Sequence, residues 1–200
     1  MTSFFAVFAI ALVAILLVEL PDKTLVATLV LSTKYRHRPV LAGVSAAFAV
    51  QCVVAVTAGG LLHLLPHRVL EAIVALLFAV GAVLLARESL NRDDEDEPDP
   101  GAPAEVGASS RRIFGISFGV LFAAEWGDAS QLATAGLVAR YGEPVAIGIG
   151  AFIALVGVAF LAVGLGKVIL RRVPLHLLHR LAALLFGAFA IVAATAAIRG

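Results

Sequence analysis

Four acidic residues lie inside apolar stretches long enough to cross a bilayer, in two copies of one pattern: Glu19-Leu20-Pro21-Asp22-Lys23-Thr24 and Glu125-Trp126-Gly127-Asp128-Ala129-Ser130. An ionised side chain at the centre of a membrane costs about 3 kcal/mol or more, so residues kept there mark function. Positions i and i+3 of a helix share a face, which lets Glu19 with Asp22, and Glu125 with Asp128, each present two carboxylates in one direction. Facing each other, the pairs would make an all-oxygen cage, completed by Thr24, Ser130, Gln131 and the carbonyls released wherever the helix breaks. Oxygen ligands suit Mg²⁺, Ca²⁺ or Mn²⁺, whereas imidazole or thiolate would point to Zn²⁺, copper or Ni²⁺. Four carboxylates and the Lys23 ammonium carry a net charge of −3 when all are ionised, so the cargo should be cationic. Crowded carboxylates in a low dielectric cannot all stay charged without a counter-ion. The site should therefore hold protons until metal displaces them, which couples the two.

The rest of the chain must place this site in a membrane. It has 200 residues, 61% of them hydrophobic, and a mean hydropathy of +1.01, well beyond a soluble domain. Apolar runs over 2–33, 39–62, 69–86, 113–139, 144–166 and 181–198 predict six transmembrane helices, since about 20 residues cross the ~30 Å of hydrocarbon. They lack the alternation of barrel strands. The N-terminal run reads as a retained span, because no basic region precedes it. The first and fourth runs are too long for one straight crossing. Pro21 and Gly127 mark where each should break, proline by removing a backbone donor and glycine by its conformational freedom.

The halves repeat. Ala27-Thr28 and Lys34-Tyr35 match Ala133-Thr134 and Arg140-Tyr141, while Leu76-Leu77-Phe78 matches Leu184-Leu185-Phe186. Three crossings per copy invert the second relative to the first, an architecture in which broken helices build a midplane transport site. The expected organisation is an all-α integral membrane protein: a first three-helix repeat over 1–90, a disordered acidic linker over 91–110, and a second repeat over 111–200. Eleven Lys and Arg side chains fall on the linker side and three, Arg68, Arg140 and Arg199, on the other. By the positive-inside rule the linker is cytoplasmic and both termini are not.

A net charge of +1 gives no field for nucleic acid. The single Cys52 excludes an internal disulfide, and His37, His63, His67, His176 and His179 all fall in loops or at span ends. Gly115 and Gly119 suggest close helix approach. Gln51 and Thr57 either line the path or bond to a neighbouring helix, and Trp126 reads as a packing or interfacial aromatic.

The doubled motif, in a six-span chain with a hydrophilic central linker, resembles the GDT family, also labelled uncharacterised protein family 0016. That family includes Golgi and plastid manganese and calcium transporters and bacterial manganese exporters. The resemblance covers essentially the whole chain. It implies export of Mn²⁺ or Ca²⁺ from the cytosol in exchange for protons, with Glu19, Asp22, Glu125 and Asp128 as ligands. The metal is then substrate and no cofactor is expected. The implied setting is a bacterial inner membrane, with the lipid bilayer as surroundings and a homodimer as an allowed assembly. Pro21 stands where the family usually has glycine, and Ala129 where a basic residue is common.

Three other readings compete. An intramembrane aspartyl protease also needs two embedded carboxylates, but it would carry Gly-x-Gly-Asp at one of them and would leave both glutamates without a role. A passive cation channel fits the acids, though inverted broken helices favour a carrier. A scaffold predicts that the acids tolerate neutral substitution.

Overall fold

The structure is a computed structural model that describes residues 3–20, 23–90, 108–172 and 175–199. Among these residues the chain forms eight α-helices: α1 (Phe4–Glu19), α2 (Lys23–Lys34), α3 (His37–Leu62), α4 (His67–Leu90), α5 (Ser110–Ala124), α6 (Ala129–Tyr141), α7 (Pro144–Arg172) and α8 (Leu175–Arg199). Helices are what an apolar chain in lipid must form, because each backbone N–H and C=O has to be satisfied within its own segment. Two of them, α3 and the Pro144–Gly164 part of α7, are long and apolar enough to cross a bilayer unaided.

The two overlong apolar runs are each divided, as anticipated, into a shorter pair. The first splits between Glu19 and Lys23, and the second between Ala124 and Ala129. At the second break the cause is visible. Gly127 adopts φ +76°, in the left-handed region that glycine enters without steric penalty. Pro21 and Asp22 lie outside the described residues, as does most of the predicted linker. Local chemistry sets the outer ends too. Ser3 and Ser109 cap α1 and α5 by accepting from the amides of Ala6 and Arg112, each at 3.3 Å, and α6 stops at Gly142 in a left-handed turn.

Most of the packing follows an exchange of the first four helices for the last four, the contact of α4 with α6 being the main exception. α1 lies on α7 and α5 on α3; α2 lies on α7 and α6 on α3; α1 meets α6 and α2 meets α5; α4 packs on α8 and α3 on α7. The matched phenylalanines of the sequence repeat, Phe78 on α4 and Phe186 on α8, meet edge to face with ring centroids 5.5 Å apart. One apolar core runs through most of the bundle, with α1 contributing Val7, Ala11, Ala14, Ile15 and Val18 from a single helical face. On α6 the Arg140 guanidinium meets the Glu71 carboxylate of α4 at 2.9 Å.

Close approach is achieved at other glycines than those predicted. Gly115 and Gly119 have nothing within 4 Å of where a side chain would begin, because they sit on an outward face of α5. The tight contacts belong to α3 and α7 instead. A Cβ on Gly43 would lie 2.5 Å from the carbonyl oxygen of Phe114 in α5, and one on Gly150 would lie 2.8 Å from that of Phe8 in α1. These two positions correspond under the helix exchange. Backbone cannot yield as a flexible side chain would, so Gly43→Ala and Gly150→Ala are each expected to destabilise the protein by about 1–3 kcal/mol. Gly115→Ala, with open space around it, should be neutral or stabilising. Thermal unfolding of the three variants in detergent checks the contrast.

Candidate metal centre

The two helix breaks bring charge into the core. Glu19 ends α1 and is completely buried; Glu125 follows α5 and is 1% exposed; Asp128 precedes α6 and is half-buried. One carboxylate oxygen from each can be chosen so that all three lie within 4.8 Å of one another. Oxygens bound to a common Ca²⁺-sized ion at about 2.4 Å lie no farther apart than about 4.8 Å, a limit that these three meet. Both halves of the sequence thus contribute to one cluster. The fourth predicted acid, Asp22, lies outside the described residues, and so does the side chain of Lys23.

Hydroxyls lace the cluster together. Thr24, buried at the start of α2, donates from Oγ1 to Glu125 Oε1, linking the first copy of the motif to the second. Ser130, buried at the start of α6, stands beside Glu19 together with Thr24, yet neither hydroxyl makes a bond of ordinary geometry to it. Both Glu19 oxygens are consequently enclosed without a hydrogen bond among the described residues. Burying a carboxylate in that condition costs several kcal/mol unless a cation or a proton compensates it.

Glu125 and Asp128 do not share a helical face as the spacing predicts. Gly127 turns the chain out of the helix between them, and they meet across a turn in which the Asp128 amide donates to the Glu125 carbonyl at 3.3 Å. Asp128 occupies the N-cap position of α6 without a capping bond from its side chain. Gln131 is engaged with this turn: its Oε1 accepts from the Gly127 amide at 2.8 Å, so its oxygen holds the motif in shape.

Gln51 takes the structural one of its two readings, donating from Nε2 to the Phe122 carbonyl at 3.2 Å and tying α3 to α5. Thr57, on an exposed face, donates to the Val53 carbonyl of its own helix at 2.7 Å and not to a neighbouring one. Trp126 is 58% exposed and continues a row of Phe118 and Phe122 along α5, its ring 5.0 Å from that of Phe122. His63, at the end of α3, is bonded to the Ala139 carbonyl at 2.6 Å, and His37 is exposed. Two enclosed hydroxyls, Thr28 and Ser117, were not singled out as candidates by sequence. For Thr28 a signal existed, since it lies one helical turn beyond Thr24.

Comparison with known families matches nearly the whole chain. The family described as divalent cation/proton antiporter GDT1 matches residues 7–93 and 113–200. The chain belongs to that family. It is accordingly a membrane transporter for cations and protons and not an enzyme, which removes the protease reading. Among curated proteins the GDT1-like protein sll0615 of Synechocystis sp. is 32% identical over 196 residues, covering 92% of this chain and 95% of the relative. No solved structure matches it. The two matched segments flank the acidic stretch, so the antiporter signature and the doubled acidic motif occupy the same halves.

Proposed function

We propose that this antiporter exports Mn²⁺ or Ca²⁺ from the cytosol in exchange for protons, through a midplane site made of Glu19, Asp22, Glu125 and Asp128. Thr24 and Ser130 supply further oxygens, and Gln131 fixes the turn that carries Glu125 and Asp128. The observation that carries this reading is the convergence of three carboxylates from both motif copies in a buried cluster sized for one ion. All its ligands are oxygens, as hard divalent cations require. The crowding of Glu19 with Glu125 and Asp128 makes proton and metal direct competitors for the same negative charge.

In this reading the helices form six crossings, the pairs α1–α2 and α5–α6 each counting as one broken span. The exchange pattern of packing supports two three-helix repeats of opposite orientation, with the site where the breaks meet. In this reading the linker lies in the cytosol of a bacterial cell and the termini outside it, which the bias of Lys and Arg to the linker side supports. Alternate access follows if the two repeats rock about the cluster, exposing the acids to one side and then the other.

The deciding experiment is uptake into inside-out vesicles, with Mn²⁺, Ca²⁺ and Mg²⁺ compared in the presence and absence of an imposed pH gradient. Uptake of Mn²⁺ or Ca²⁺ that rises with an acidic vesicle interior and exceeds that of Mg²⁺ is the expected result. Uptake indifferent to the gradient would leave a passive pathway, and preference for Mg²⁺ would move the cargo assignment.

A further inference from the structure

Thr24, Thr28 and Ser32 stand four residues apart on α2, so they share one face, with successive Cβ atoms roughly 5–6 Å apart. All three are buried. The first bonds to Glu125 Oε1, and the last donates to the Leu29 carbonyl at 2.7 Å, close to the end of the helix at Lys34. Between them Thr28 is 0% exposed and its oxygen has no hydrogen-bond partner among the described residues.

That condition is not forced by the helix. Thr134, the matching residue of the second repeat, is equally buried on α6 and satisfies itself by donating to the Ser130 carbonyl at 2.8 Å. Helical threonines commonly bond back in this way. Thr28 does not, although leaving a buried hydroxyl unpaired costs about 1–3 kcal/mol. An orphaned polar group in an otherwise apolar core needs a reason, and a functional one is available.

We propose that Thr28 is a relay on the path by which the exchanged proton travels between the carboxylate site and the Lys34 end of α2. One water, bonded at about 2.8 Å on each side, spans the gap between successive hydroxyls of the row. Each hydroxyl or water accepts one hydrogen and passes on another. A proton leaving the Glu125 carboxylate is thereby passed through Thr24 and Thr28 and released beyond Ser32 on the cytosolic side, and the relay itself is unchanged. The row leads toward Arg36, His37 and Arg38, all exposed. The inference rests on the proposed proton-coupled site, and it adds a route that the site alone does not specify.

The test uses full-length protein in liposomes, following metal with one dye and internal pH with another. Thr28→Val removes the hydroxyl with little change of shape, and it should slow metal-coupled proton flux by about tenfold or more, at the modest end of what a positioned proton-transfer group supplies. Equilibrium binding of Mn²⁺ and thermal stability should be unchanged or improved. Thr28→Ser should restore the flux, and Thr134→Val, whose hydroxyl serves only its own helix, should transport like the parent. Unslowed flux in Thr28→Val, failure of serine to rescue it, or equal slowing in Thr134→Val would each overturn the relay. Full transport by Glu19→Gln, run alongside, would mark the failure of the site itself and take the relay with it.

Discussion

Glu19→Gln is expected to give a folded protein that no longer exchanges metal for protons. The substitution keeps the volume of the side chain and removes its charge, and Glu19 is the one described acid whose two oxygens are both enclosed without a hydrogen bond. Its carboxylate therefore contributes nothing to the apo fold that an amide would lose. Neutralising it relieves repulsion from Glu125 and Asp128, so the melting temperature should hold or rise. Transport should fall by two orders of magnitude or more, since even outer-shell partners of a metal cost about 10–100-fold when removed. Glu125→Gln and Asp128→Asn should match it in transport. Metal flux in liposomes, measured with detergent melting curves of the same preparations, checks both halves of the prediction. Parent-like transport in Glu19→Gln would remove the cluster from the mechanism.

Gly127→Val should be nearly as damaging, by a different route. Nothing lies within 4 Å of where a side chain would begin at this position, so a loss cannot come from crowding. It must come from the backbone, because φ +76° costs a residue with a Cβ about 1–2 kcal/mol and is least tolerable for a β-branched one. The chain would relax toward a continuous helix, drawing Glu125 and Asp128 away from the turn that aims them at Glu19 and releasing the Gly127 amide from Gln131. A tenfold or greater fall in transport is expected, in line with the cost of misplacing reacting groups by about 1 Å. Gly127→Asn should be much milder, as asparagine enters the left-handed region readily. Gly119→Ala, also uncrowded but within α5, should be silent. Transport in the order glycine, asparagine, valine is the signature of a conformational requirement, and equal rates in all three would show that the turn has no part in function.

The two predictions separate what the acids do from what holds them. Antiport requires a site that either ion can neutralise but that neither can leave permanently occupied. In the proposed mechanism the crowded carboxylates meet the first condition, and the helix breaks on both sides would supply a joint about which access changes.

How much of this was readable from residue order alone differs from one element to the next. The acids were legible because charge inside a long apolar run violates the solvent rule for a membrane and does so twice at matching positions. The breaks were legible because Pro21 and Gly127 are the residue types that interrupt helices, and the helices do stop there. The face that each acid presents was not. Periodicity assumes a continuous helix, and the break that makes the site also cancels the i, i+3 rule for Glu125 and Asp128. The glycines failed for a related reason: spacing along one helix cannot say which side of it another helix will cover, so Gly115 and Gly119 looked interfacial while Gly43 and Gly150 carry the contacts.

Sequence by itself determined that the chain is helical and apolar, that it belongs in a membrane, and that two matched acidic motifs interrupt it. Those are properties of composition and local order, each fixed by how a short segment meets its solvent. The tertiary structure alone decided that Glu19 meets Glu125 and Asp128 across more than a hundred residues, that Thr24 serves Glu125 of the other copy, and that Thr28 is left without a partner where Thr134 is not. Such facts depend on which helix packs against which, and that choice is made by the shape of the whole bundle at contacts such as Gly43 on Phe114 and Gly150 on Phe8.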